Sequence, residues 1–233
     1  GGIKFATMLY RTNIISFVGT GENPSFPSSR LVLWDDIAHR PFGELNFKGD
    51  VLATQLRKDK IVVVHMNKVY VYNFEQLDCS DTFITCDNPE GIVSFSTAED
   101  SCVLAIPDEV VGHVKIIHFS KDKHIVQIKC QNSALSCLKL SRDGKLLATT
   151  SSKGTLVRIW DTWTGDQMNE LRRGADQAVI SDISFDPDNQ IVAVASDKGT
   201  IHMFNMTETG NKKSSLSALS GIASYFGSKW SAS

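Results

Sequence analysis

The chain has 233 residues, 42% of them hydrophobic and 21% charged, with 24 Lys and Arg against 26 Asp and Glu for a net charge of −2. That length can bury a core as one all-β domain or two smaller ones, and the charge balance excludes a general nucleic-acid binder while allowing a local basic patch. No apolar run approaches the ~20 residues of a membrane-spanning helix, so any membrane contact is expected to be peripheral.

Gly1-Gly2-Ile3-Lys4 reads as the interior of something longer rather than a secretory leader. The first predicted strand is Asn13–Gly19, taken as the second strand of a repeat. Gly19-Thr20-Gly21 looks like half of a nucleotide-binding turn, but it lacks the third glycine and runs into Asn23-Pro24 instead of a helix. Gly21–Ser29 is a loop carrying two prolines. Then come five segments that end alike: Val32-Leu33-Trp34-Asp35, Val71-Tyr72-Asn73-Phe74, Ile116-Ile117-His118-Phe119, Arg158-Ile159-Trp160-Asp161 and His202-Met203-Phe204-Asn205. Between the markers Trp34, Tyr72, Ile117, Trp160 and Phe204 the intervals are 38, 45, 43 and 44 residues, the period of a four-stranded propeller blade. Ala134–Leu140, Leu146–Thr150 and Leu156–Trp160 show the internal pattern, split by Asp143-Gly144 and Lys153-Gly154; Ile180–Phe185, Ile191–Ala195 and Thr200–Phe204 repeat it.

The predicted fold is all-β, a propeller of WD-type four-stranded blades with about five blades present. Residues 1–233 are expected to form one partial domain, cut at both ends, with Trp230–Ser233 as a fourth strand. Five cysteines, Cys79, Cys86, Cys102, Cys130 and Cys137, form no Cys-x-x-Cys pair. They read as reduced, mostly buried thiols of a cytosolic protein, with no zinc site or disulfide framework. Asp35-Asp36 would diverge on a strand, and no nucleophile–base constellation stands out. An enzyme is therefore not expected, and no cofactor or metal is implied.

Leu171-Arg172-Arg173-Gly174 closes the fourth repeat. On an extended segment neighbouring side chains point to opposite sides, and arginine clamps phosphate with two parallel hydrogen bonds. Downstream, residues 207–229 form a long Ser/Gly-rich connection in which Lys212-Lys213 precede Leu216, Leu219, Ile222 and Phe226. On a helix those apolar residues would share a face able to lie in a lipid headgroup layer; a surface loop is the alternative.

An ordered series of segments carries a family resemblance: Leu9–Asn13, Val32–Asp36, Ile61–Val64, Asn67–Phe74, Thr85–Pro89, Leu104–Pro107 with Gly112–Val114, Lys153–Arg158, Arg172-Arg173-Gly174 and Ser196–His202. Along its whole length the chain resembles the PROPPIN family, seven-bladed propellers that bind phosphoinositides in autophagy. The resemblance implies a peripheral membrane effector that docks on phosphatidylinositol 3-phosphate or 3,5-bisphosphate and recruits autophagy proteins, notably a large lipid-transfer protein. It would act from the cytoplasm on autophagosomal precursor, endosomal or vacuolar membranes. A WD-repeat scaffold without lipid binding is the alternative. One implied pocket combines Arg172 with Ser151, Thr155 and Arg158, the other Arg173 with Ser196, Thr200 and His202; sequence alone does not fix which arginine serves which pocket. The family's inserting loop corresponds to residues 207–229. Leu171 stands where the family usually has Phe, and Gln131 where a histidine is common; glutamine can donate a hydrogen bond but carries no charge.

Overall fold

The computed structural model describes residues 2–120 and 122–206. Within them the chain forms nineteen strands and no helix, arranged as five antiparallel sheets of consecutive strands. Sheet 1 contains β1 (Ile3–Met8), β2 (Ile14–Gly19), β3 (Arg30–Asp35) and β4 (Arg40–Asn46). Sheet 2 contains β5 (Ala53–Leu56), β6 (Lys60–Val64), β7 (Lys68–Asn73) and β8 (Cys79–Ile84). Sheet 3 contains β9 (Ser94–Phe95), β10 (Val103–Pro107), β11 (His113–His118) and β12 (His124–Lys129). Sheet 4 contains β13 (Leu135–Leu140), β14 (Leu146–Ser151), β15 (Leu156–Asp161) and β16 (Gln167–Arg172). Sheet 5 contains β17 (Ile180–Phe185), β18 (Ile191–Ser196) and β19 (Ile201–Asn205). All five sequence markers, Trp34, Tyr72, Ile117, Trp160 and Phe204, fall on the third strand of their sheet.

The packing follows from strand periodicity. Successive side chains on a strand face opposite ways, so a strand in a stack of sheets must be apolar on both sides. In β6, Ile61 and Val63 join Val18, Leu31 and Leu33 of sheet 1, while Val62 and Val64 join Leu104, Ile106 and Ile117 of sheet 3. Leu138, Leu147 and Trp160 of sheet 4 pack on Ala105, Val114 and Ile116 of sheet 3. Its opposite face, Ala148, Val157 and Ile159, packs on Ile183, Val192 and Val194 of sheet 5. Each sheet junction thus has its own apolar cluster. First strands adjoin first strands (β1 with β5, β9 with β13, β13 with β17), and fourth strands such as β16 form an exposed outer rim. This is the propeller arrangement.

Two expectations need correction. The chain does not enter its first blade at a second strand: β1 precedes β2 and pairs with it from Ile3↔Gly19 to Met8↔Ile15. The thiols are all free, yet only Cys130 is fully buried, and Cys79 lies exposed on β8 because a rim strand shows one face to solvent. Residues 207–229, with Leu216, Leu219, Ile222 and Phe226, and the proposed fourth strand at Trp230 lie outside the described residues.

Candidate functional site

The turn joining β14 to β15 is the centre of the site. Gly154 occupies a left-handed backbone conformation (φ 59°), and a Cβ there would stand 1.9 Å from the carbonyl oxygen of Ala178. Only glycine lets the turn close this tightly against the approach to β17. The turn is locked by Gly154 N donating to Ser151 O at 2.8 Å and Ala178 N donating to Lys153 O at 3.1 Å. Ser151 and Thr155 therefore flank a rigid Lys-Gly step. Among the described residues their hydroxyls have no hydrogen-bond partner.

Beside this turn an open cleft of about 710 Å³ separates the end of sheet 3 from sheet 4, lined among others by Lys129, Gln131, Ser151, Lys153, Thr155 and Arg158. Arg158 is half-buried. Its Nε donates to Glu170 Oε2 at 2.8 Å and its Nη1 to the Cys130 carbonyl at 3.3 Å. The Cys130 thiol in the cleft wall is pushed up to about 12 by burial, so it is neutral. Gln131 Nε2 spends both hydrogens on backbone, to Ala134 O at 3.0 Å and Thr150 O at 3.2 Å. It braces the loop before β13, so the donor expected of it is already used. Lys129 and Lys153 are exposed and make no ion pair among the described residues.

Register settles how the two adjacent arginines divide. Leu156 pairs with Arg172 and Arg158 with Glu170, and directly opposed residues share a sheet face. Arg172 therefore lies on the Arg158 face, toward sheet 3. Its guanidinium is exposed and has no partner among the described residues. It is not among the residues that line the cleft, but its strand partner Leu156 is. Arg173 follows the strand end and is anchored: its backbone N donates to Thr155 O at 2.9 Å, its Nε to Gly154 O at 2.6 Å, and its Nη2 to Asp176 O.

The second predicted group is less assembled. Ser196 ends β18 at 8% exposure, with its Oγ buried and unpartnered. Thr200 Oγ1, just before β19, lies 3.3 Å from His202 Nε2 within the start of that strand. Arg173 makes no hydrogen bond to Ser196, Thr200 or His202; its guanidinium is committed to the Gly154 turn. Arg173 thus ties the Gly154 turn to the loop that leads into β17.

Glu170 is the residue that sequence reading missed. It places a carboxylate inside a cationic cleft, and only hairpin counting across the Thr162–Asp166 turn would have revealed it opposite Arg158. Asp35, weighed as half of an acid pair, is a turn-former: its Oδ1 accepts from Ile37 N at 2.9 Å and Ala38 N at 3.1 Å. These bonds, with another from Asn13, hold its carboxyl below the usual carboxylate range. Asp161 does the same in sheet 4, accepting from Trp163 N and Thr164 N at 2.8 Å each. Among the described residues no group of three His, Cys, Asp or Glu could hold a metal ion, and no helix is long and apolar enough to cross a membrane.

Comparison with known proteins places this geometry in context. The PROPPIN family model matches residues 41–233. SVP1-like protein 2 of Pichia angusta is 36% identical over 99% of this chain and 68% of that protein. Autophagy-related protein 18e of Arabidopsis thaliana is 38% identical over 88% of this chain and 55% of that protein. Among solved structures, Kluyveromyces lactis Hsv2 superposes with a TM-score of 0.77 at 26% identity, covering 89% of this chain and 63% of that one. The chain thus spans roughly half to two thirds of the length of the relatives it matches.

Proposed function

The chain belongs to the PROPPIN family, and from that premise we propose that it is a phosphoinositide effector which docks peripherally on membranes and recruits autophagy proteins. The observation that carries the reading is the cleft between sheets 3 and 4. Two unpartnered hydroxyls, Ser151 and Thr155, bracket a rigid turn beside the free cation Lys153, and register sets the exposed Arg172 opposite Leu156, the residue after Thr155. An inositol phosphate offers acceptor oxygens to all four. Short hydroxyl donors on a fixed backbone orient the phosphate, and the cations supply charge-assisted bonds. Arg158, its charge offset by Glu170, contributes shape and the guanidinium N–H groups that Glu170 and the Cys130 carbonyl leave free.

The buried, unpartnered Ser196 Oγ, with Thr200 and His202 nearby, supports a second headgroup position on sheet 5, for which Arg173 holds the adjoining turn. Leu216, Leu219, Ile222 and Phe226 are proposed to insert into the headgroup layer on the strength of their spacing after Lys212-Lys213. Two headgroup positions and an inserting segment on one surface multiply their effects. The lipids are proposed to be phosphatidylinositol 3-phosphate and 3,5-bisphosphate. The membranes are autophagosomal precursors, endosomes or the vacuole, and the recruited partner is an autophagy lipid-transfer protein.

Flotation of the 233-residue chain with phosphatidylcholine vesicles containing phosphatidylinositol 3-phosphate, 3,5-bisphosphate or neither tests the proposal. Lipid-dependent flotation that weakens with salt and is lost in Arg172→Ala is expected. A folded chain that ignores all three vesicles would be a protein scaffold instead. Arg172→Ala is a cleaner probe than a double mutant, because Arg173 also carries backbone contacts.

A further inference from the structure

Trp163 is exposed at 58%, in the turn between β15 and the rim strand β16. A solvent-facing indole is usually free to move, but this one is clamped. Its backbone N and that of Thr164 are held by Asp161 Oδ1. Its ring lies 4.5 Å from the His124 ring and 5.2 Å from the His118 ring, centroid to centroid. Both imidazoles fix the turn in place: His118 Nε2 lies 2.9 Å from Thr162 O and His124 Nε2 lies 3.2 Å from Trp163 O. The indole nitrogen has no partner among the described residues. A large amphipathic side chain is thus presented outward with its orientation already set, so little entropy is lost when it meets a partner.

We propose that Trp163 is an interfacial anchor that enters the headgroup layer of the same lipid surface that Arg172 reads; the proposal rests on the phosphoinositide reading above. Position argues for this occupant. β16 is the outermost strand of sheet 4, with Arg172 at one end and the Trp163 turn before the other, about 20 Å apart at the usual strand rise. Trp163 packs toward sheet 3, the side on which register places Arg172. A flat surface laid along this rim to reach Arg172 also meets Trp163. Met168, 56% exposed at the bulge of β16, lies between them. Charge agrees: Lys129, Lys153 and Arg172 stand unpaired at the cleft end, complementary to an anionic bilayer. Chemistry agrees as well, because indole combines an apolar body with a polar N–H and favours the membrane–water boundary.

The test separates headgroup recognition from membrane contact. Wild type, Trp163→Ala, Trp163→Tyr and Arg172→Ala are each titrated with soluble inositol 1,3-bisphosphate and with phosphatidylcholine vesicles containing phosphatidylinositol 3-phosphate. Trp163→Ala should keep headgroup affinity while losing about five- to tenfold in vesicle affinity, the scale of one buried aromatic contact. Trp163→Tyr, which keeps an amphipathic ring on the two histidines, should recover most of that loss. In wild type, brominated lipid should quench a fluorescence component that is absent from Trp163→Ala. Vesicle affinity equal to wild type in Trp163→Ala would show that the indole does not touch the bilayer and overturn the proposal. So would a parallel loss of headgroup affinity. A wild-type chain that binds neither probe would remove the phosphoinositide reading itself, and this inference with it.

Discussion

Replacing Glu170 by glutamine should strengthen anion binding, although it deletes an ion pair. Glu170 Oε2 accepts from Arg158 Nε at 2.8 Å, and the two side chains are 44% and 25% exposed. In the cleft the carboxylate both neutralises Arg158 and repels an incoming phosphate. A negative charge about 6 Å from another costs about 0.7 kcal/mol in bulk water and about 1.4 kcal/mol at half that dielectric. Removing it should raise affinity for inositol 1,3-bisphosphate roughly three- to tenfold. Glutamine keeps an oxygen acceptor for Arg158, so the guanidinium stays in place. The stability lost with a partly exposed pair is about 0–1 kcal/mol. Calorimetric titration of both proteins at two salt concentrations reads the effect, which should shrink as salt rises. Unchanged or weaker binding by a folded Glu170→Gln protein would refute the idea that Glu170 competes with the ligand.

Three further outcomes follow from the same contacts. Arg173→Ala should lower stability by about 1–3 kcal/mol, through two lost side-chain bonds to Gly154 O and Asp176 O; Arg172→Ala should leave the denaturation midpoint where it was. Iodoacetamide should alkylate Cys79 in the native chain and spare Cys130, whose thiol is buried and pushed up to about 12; mass spectrometry showing equal modification would contradict the packing of sheets 3 and 4. His65 packs between Phe47 and Tyr70, and burial lowers its pKa against a smaller raising influence from Asp50. The unfolded chain therefore binds the proton more readily, so stability is full above the ordinary histidine range of about 6.5 and falls as pH drops through it. His65→Phe should flatten that decline in thermal melts between pH 7.5 and 5.5.

The blades were legible because their cause is local. A strand packed on both faces must be an unbroken apolar run, as Ile61–Val64 is, and the third-strand markers recur with the blade. β1 was harder to see: Ile3, Phe5 and Thr7 alternate with Lys4 and Ala6 over only six residues, and none of its residues is fully buried. In the site, Ser151, Thr155 and Arg158 were readable because they surround one short turn, and the cleft brings them together. What sequence could not supply was who is already engaged. Arg158 and Arg173 look like free cations on paper, yet Glu170 and three backbone carbonyls hold them. Gln131 likewise reads as an available donor until Ala134 O and Thr150 O are seen to occupy it. Those partners arise from hairpin register and loop closure, which pattern alone does not fix.

The central claim is that the turn Ser151–Thr155 grips a phosphorylated inositol. Calorimetric titration of soluble inositol 1,3-bisphosphate into wild type and into Ser151→Ala/Thr155→Val tests it without any membrane. Each hydroxyl-to-phosphate bond contributes about 1.5–3 kcal/mol, so the double variant should bind at least about a hundredfold more weakly while melting as wild type does. Equal affinity in the two proteins would place the headgroup elsewhere and contradict the account.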